Sequence, residues 1–115
     1  MTAVHIWHYT CGHGADGIRR DGIVKPNPHP LLGGLPISWW TDLEPGHRYE
    51  VGLASDTLTC DRMAHRFEVK DSGLLDYWPT YARAAKVPRA VRDALEGGRL
   101  PAHWWVSPKP VEVIP

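Results

Sequence analysis

The chain has 115 residues and a mass of 12.9 kDa, enough for one domain with its own core. Its 13 lysine and arginine residues balance 13 aspartate and glutamate residues, which argues against a protein that coats nucleic acid or an anionic membrane. No apolar run reaches the roughly 20 residues of a bilayer span, no signal peptide is recognisable, and two cysteines are too few for a disulfide scaffold. We expect a single cytoplasmic domain over residues 1–115, with no membrane partner.

The predicted elements of the first half are short, because eleven glycines and eleven prolines interrupt the chain. Leu31 and Leu32 are expected to anchor the proline-rich loop against the core. In chain order we predict a strand over 4–10, a break over 11–14, a helix over 15–20, a loop over 26–34 and a strand over 35–41.

The second half continues this pattern and ends in extended structure. The predicted elements are a strand over 48–53, an ambiguous stretch over 55–63, a strand over 65–70, helices over 79–85 and 88–95, and a broken strand over 104–107 and 111–114. Strands at both ends with helices between them indicate an α+β domain.

The aromatic residues are unevenly chosen, with six Trp and four Tyr against one Phe. Four of the tryptophans form the pairs Trp39-Trp40 and Trp104-Trp105. Indole rings offer flat surfaces with a polar tip, which suits stacking on a planar ligand. For any single Trp, a place in the core is the more common use.

Side chains that bind metals or take part in catalysis are densest at the first strand. His5, His8, Cys11 and His13 are of the types that bind Zn²⁺, but strand alternation sends His5 and His8 to opposite faces, so we predict no metal site. A hydrolytic pair of Cys11 with His13 or His103, in which Ser38 or Ser107 could replace Cys11, is a second alternative, without any Gly-x-Ser-x-Gly motif to support it. A third alternative is a pocket lined by His8, Tyr9 and Thr10, in which the histidine imidazole and the threonine hydroxyl bind a sugar.

The basic residues fall into two groups. Arg48, Arg62 and Arg66 are candidates for a phosphate site, because an arginine fork binds phosphate through two hydrogen bonds. The arginines between residues 83 and 99 are more simply explained as a solvated helical surface.

The order of these pieces resembles a known family. Ile6-Trp7-His8-Tyr9-Thr10, followed by Gly17 to Pro26, is similar to the opening of ADP-ribosyltransferases of the His-Tyr-Glu type. There, a strand of the form apolar-Trp-His-small-Ser/Thr leads into a helix, a loop and an apolar strand, for which Leu35 to Asp42 has the right position. The resemblance covers the first 42 residues and, more loosely, the last 15. Small prokaryotic toxins and RNA 2′-phosphotransferases are the relatives most similar in size and layout.

The resemblance implies a small split antiparallel sheet with short helices, and NAD as the cofactor. His8 would bind a ribose hydroxyl, with Thr10 supporting it or contacting the nicotinamide amide. Tyr9 would offer its backbone amide while its side chain points away. Trp40 and Thr41 would lie beside the nicotinamide ring, and the loop over 26–34 would close over the cofactor.

The implied reaction cleaves the nicotinamide–ribose bond and transfers ADP-ribose to a protein or nucleic-acid acceptor. The family's catalytic Glu is replaced here by His103, which becomes a catalytic candidate together with His8 and Thr10. Arg66 is a further cofactor-binding candidate, and in the phosphotransferase branch Arg19 or Arg20 would join it. Because the Glu is missing, a second hypothesis is a catalytically inactive module on the same fold that binds a nucleotide, a nucleic acid or a protein.

Overall fold

Two antiparallel sheets organise the chain in the computed structural model, which describes residues 5–44, 46 and 64–114. The elements are β1 (Trp7–Thr10), α1 (Gly12–Asp21), β2 (Ile23–Val24), β3 (Asn27–Pro28), β4 (Pro36–Thr41), β5 (His65–Glu68), β6 (Asp76–Tyr77), α2 (Trp78–Ala84), α3 (Arg89–Glu96), β7 (Trp104–Ser107) and β8 (Val111–Glu112). Within the described ranges, 3₁₀ turns cover Pro30–Leu32, Ser72–Leu74 and Pro101–His103. The α+β class with an antiparallel sheet is confirmed. No helix in the described ranges is long and apolar enough to cross a membrane.

The main sheet has the strand order β5-β1-β4-β7-β6, and β3 pairs with the start of β4. The central β4 therefore has β1 on one side and β7 on the other. The second sheet pairs β2 with β8, which ties the segment after α1 to a strand near the other end of the chain.

The register gives the main sheet two different faces. Trp7 is opposite Thr41, and Tyr9 is opposite Arg66, so these side chains share one face. His8, opposite Phe67, projects from the other face. We call the face that carries His8 the α1 face, because its core includes Ile18 of α1, and the other the α2–α3 face.

The α1 face is built around Trp40, which is 2% exposed. Its indole Nε1 donates a hydrogen bond of 2.8 Å to the Ser38 hydroxyl, and both side chains are buried. The apolar residues that pack with Trp40 on this face are Ile6, Ile18, Val24, Val69, Leu75, Val111 and Val113.

Tryptophan rings dominate the α2–α3 face. The ring of Trp39 lies 4.8 Å from that of Trp78 and 5.7 Å from that of Trp104, measured between centroids. Trp78 and Val106 are fully buried here. Most of the tryptophan excess is thus used to fill a small core, since an indole buries a large apolar area.

The first helix begins earlier than the sequence pattern suggests. The predicted break over 11–14 is wrong, because α1 starts at Gly12, directly after an extended Cys11. Glycine is needed at position 14 for another reason: a Cβ there would collide with the Thr10 hydroxyl, so its absence lets α1 approach the end of β1. The predicted stop is confirmed, since Gly22 follows the helix with a φ of 71°.

The proline-rich loop is anchored by one leucine rather than two. Leu32 is 8% exposed, whereas Leu31 is 49% exposed. Both belong to a one-turn 3₁₀ helix that His29 caps by accepting a hydrogen bond from the Leu31 N–H at 3.2 Å. Successive residues of a tight turn point in different directions, so only one of the pair reaches the core.

Two sequence predictions cannot be compared with the fold. The strand over 48–53 and the stretch over 55–63 lie outside the described residues, as do Arg48 and Arg62. Of the three arginines considered for a phosphate site, Arg48, Arg62 and Arg66, the structure therefore describes Arg66 alone.

We predict that Ser38→Ala lowers the free energy of unfolding by about 1–3 kcal/mol, because it leaves the buried Trp40 N–H without an acceptor. Ser72→Ala is the matched control, since Ser72 is exposed in a 3₁₀ turn and should change stability by less than about 0.5 kcal/mol. Urea unfolding followed by circular dichroism measures both. Equal midpoints for the two variants would contradict this role of Ser38.

Candidate functional site

A cavity of about 290 Å³ lies between α1, the end of β1 and the segment that follows α1. Its volume is close to the lower end of the range of about 300 to 1,000 Å³ that is usual for small-molecule sites. The side chains and backbone that line it belong to His8, Thr10, Gly14, Gly17, Ile18, Arg20, Asp21, Ile23, Val24, Lys25 and Asn27.

His8 is the best-defined polar group of the cavity. Its Nδ1 lies 2.8 Å from the Trp39 carbonyl oxygen, and because a carbonyl can only accept, Nδ1 is the nitrogen that carries the proton. Burial lowers the pKa of His8 from its usual 6.5, and the hydrogen bond to Trp39 opposes this shift with a smaller effect. The ring is therefore neutral at pH 7, and Nε2 is an acceptor for a ligand's hydroxyl or N–H.

Thr10 stands beside His8 on the same face, two residues further along β1. Its hydroxyl lies against the backbone of Gly14, in the first turn of α1. A hydroxyl can donate one hydrogen bond and accept others, whereas neutral His8 offers an acceptor at Nε2. Together they suit a ligand with neighbouring hydroxyl groups.

Two cations and one carboxylate lie where α1 ends. Asp21 binds Arg20 at 3.3 Å and Lys25 at 3.6 Å, and the hydrogen bond from Arg20 is the main reason why the pKa of Asp21 is lowered. The side chains of Arg20 and Lys25 are 78% and 66% exposed. Exposed pairs of this kind are weak, so both cations can turn to an anionic ligand. With His8 neutral, the described residues of the cavity lining carry one net positive charge.

Trp40 and Thr41 do not line the cavity. The Trp40 ring is buried beneath His8, with 5.5 Å between the ring centroids, and so supports the imidazole from the core. Thr41 projects from the opposite face, where its hydroxyl donates to the His103 carbonyl at 2.7 Å and accepts from the Leu43 N–H at 3.2 Å. Both side chains are only 2% exposed.

The side chains of Tyr9 and Arg66 belong to the α2–α3 face. The Tyr9 hydroxyl donates to the Leu43 carbonyl at 2.7 Å, so this side chain points away from the cavity, as strand alternation requires. The Arg66 guanidinium binds Glu44 at 2.8 Å and lies over the Trp7 ring, 4.2 Å from its centroid. In this structure Arg66 holds strand β5 against β1 rather than lining the cavity.

His103 is paired at another place on the sheet. Its Nδ1 lies 2.8 Å from a carboxylate oxygen of Asp42, just beyond the point where β4 and β7 meet. Of the three catalytic candidates, the structure brings together His8 and Thr10 and leaves His103 outside the cavity lining.

The metal and hydrolase alternatives can be compared with the structure only in part, because the side chain of His13 lies outside the described residues. His5 is bound to Glu68 at 3.0 Å, on the other face from His8. Within the described ranges, no three side chains of His, Cys, Asp or Glu are close enough to hold a metal ion. The polar partner of His103 is Asp42, not Cys11.

Lys25, Asp21 and Asn27 are cavity residues that the sequence pattern alone does not single out. Asp21 is the last residue of α1, Lys25 and Asn27 follow the helix, and the left-handed Gly22 turns the chain back past the helix end. Gly22 is the sequence feature that indicates these residues, since a tight turn after a helix brings the next residues close to the last turn of that helix.

We predict that His8→Asn makes stability less dependent on pH. The unfolded chain binds more protons than the folded one between the lowered pKa of His8 and 6.5, so protonation destabilises the fold as the pH decreases below about 6.5. Asparagine keeps an N–H for the Trp39 carbonyl but does not titrate.

Unfolding in urea from about pH 7 to about pH 5 measures this effect. Burial also lowers the pKa of His29, so His29→Asn measures how much of the pH dependence of stability comes from the proline-rich loop. If wild type and His8→Asn lose stability equally over this range, the imidazole is not the buried neutral group described above.

Comparison with protein-family models, with curated proteins and with solved structures finds no match to this chain. The functional interpretation therefore depends on the residues of the cavity: a neutral histidine and a threonine on one strand, facing two exposed cations at the end of a helix.

Proposed function

We propose that the chain is an ADP-ribosyltransferase-like protein that binds NAD in the α1 cavity. The observation that carries the proposal is the neutral His8, which is fixed through Nδ1 and has its second nitrogen available as an acceptor in the cavity. The resemblance of the first 42 residues to the transferase family agrees with this choice of ligand, because it assigns the ribose contact to the same histidine.

The ribose is the part of NAD that His8 and Thr10 would recognise. A ribose presents two adjacent hydroxyl groups, one of which can donate to Nε2 of His8 while the other exchanges hydrogen bonds with the Thr10 hydroxyl. The hydrogen bond to Trp39 and the Trp40 ring beneath hold the imidazole in place, so little side-chain freedom is lost on binding.

The phosphates would be bound by Arg20 and Lys25. An arginine fork binds a phosphate group through two hydrogen bonds, and the lysine adds a second positive charge. A cavity of about 290 Å³ accommodates one nucleotide-sized end of the dinucleotide, and the other end would extend out of it.

Transfer of ADP-ribose requires more than binding. Cleavage of the nicotinamide–ribose bond develops positive charge on the ribose, which a carboxylate can stabilise. Among the described residues that line the cavity, Asp21 is the one carboxylate, and it is already paired with Arg20 and Lys25. This observation favours, as a second candidate function, a module that binds the nucleotide without turning it over.

We predict that NAD binds to the wild-type protein and that His8→Asn weakens binding by about tenfold, because Nε2 is lost while the contact with Trp39 is kept. His5→Asn makes the same substitution at an exposed histidine on the other face of the sheet. Calorimetric titration measures affinity, and a change in tryptophan emission is also expected because Trp40 lies beneath His8. Equal affinities of the two variants would count against the ribose contact.

The contribution of the phosphates is tested separately. Arg20→Gln should weaken the binding of NAD and of ADP-ribose but not of nicotinamide riboside, which has no pyrophosphate. Arg83→Gln, at an exposed position of α2, is the control and should change none of them. Release of free nicotinamide from NAD, measured by chromatography, then separates a transferase from a binding module. Absence of NAD and ADP-ribose binding at millimolar concentration would overturn both candidate functions.

A further inference from the structure

A second groove, of about 320 Å³, lies along the edge strand β6 and the adjoining helix α2. Among the described strands, β6 is the last of the main sheet on the side away from β1 and β5, and strands β4 and β7 lie between β1 of the α1 cavity and the groove. The residues that line it are Leu75, Asp76, Tyr77, Thr80, Tyr81 and Ala84.

The two tyrosines of the groove are held in position by neighbours. The Tyr77 hydroxyl donates to the Ala102 carbonyl at 2.8 Å, and its ring lies 5.5 Å from that of Trp105. The Tyr81 ring stacks on Trp78 at 6.1 Å, with 30° between the planes. Because these contacts already fix the rings, a ligand that binds against them does not have to order them.

The charge of the groove comes from Asp76. This residue is exposed, and it takes part in none of the ion pairs formed within the described ranges. None of the described groove residues is a cation. Asp76 and Tyr81 both line the groove, and the pKa of Tyr81 is raised, mainly by burial and also by the charge of Asp76. The groove is therefore negative, with aromatic walls.

We propose that this groove binds an arginine side chain of a protein partner. A guanidinium is a planar cation that stacks on aromatic faces and binds a carboxylate through two parallel hydrogen bonds, and the groove offers both kinds of contact together. Lysine lacks the planar fork, and neutral or anionic ligands lack the charge that complements Asp76. Leu74 and Tyr77, which are 58% and 38% exposed, provide apolar surface for the residues next to the arginine.

The probe for this site is Nα-acetyl-arginine amide, titrated into the ¹⁵N-labelled protein and followed by NMR. We expect millimolar binding, with shifted backbone amides concentrated between Leu75 and Ala84. Nα-acetyl-citrulline amide has the same shape without the charge, and Nα-acetyl-lysine amide has the charge without the fork. Each should bind at least about tenfold more weakly.

Asp76→Asn should weaken binding of the arginine probe by at least about tenfold, whereas Asp16→Asn, the same change at an exposed position of α1, should leave it unchanged. Tyr81→Leu removes one aromatic wall and should also weaken binding, while Tyr81→Phe keeps the ring and should retain it.

The proposal is overturned if citrulline binds as well as arginine, if Asp76→Asn has no effect, or if the shifted amides lie elsewhere. It does not depend on NAD binding, because His8→Asn should leave the affinity for the arginine probe unchanged. Should Tyr81→Leu fail to fold, the comparison of arginine with citrulline on the wild-type protein still decides the matter.

Discussion

The hydrogen bond from Nδ1 of His8 to the Trp39 carbonyl connects the chemistry of the cavity to the centre of the main sheet. It links β1 to the central strand β4, determines which ring nitrogen carries the proton, and holds the imidazole above the buried Trp40. Because this carbonyl belongs to the backbone of β4, the position of His8 depends on the register of the sheet. A change in the pairing of β1 with β4 would therefore displace the imidazole in the cavity.

Because side chains alternate between the two faces of the sheet along β1, neighbouring residues of this strand make different contacts. Tyr9 is committed to the α2–α3 face through the Leu43 carbonyl, so His8 and Thr10 are free to face α1. The tryptophans divide in the same way, with Trp40 under the cavity and Trp39 in the opposite core. A sheet that is covered on both faces by so few residues needs large rings on each side to exclude water.

His8 and Thr10 could be predicted from the sequence because their placement is local: two residues separated by one on a strand share a face. The positions of Arg66 and His103 depend on which strands pair and in what register, which no local pattern of this chain contains. Leu35 to Thr41 was recognisable as a strand by its residue types, yet the burial of Trp40 depends on residues distant in the chain, among them Ile18 of α1 and Val111 of β8. The glycines at 12 and 14 were misleading, because they permit close packing of a helix rather than ending a strand.

The pairing of β2 with β8 has a consequence for how the protein is made. Ile23 and Val24 line the cavity, and their partners are Glu112 and Val111, nearly ninety positions later. During synthesis, α1 and β1 emerge from the ribosome long before the strand that fastens the far wall of the cavity, and contacts between such distant residues form late. A nascent chain that has not yet reached β8 therefore carries His8 without an assembled pocket, and the cavity is complete only after β8 has been synthesised.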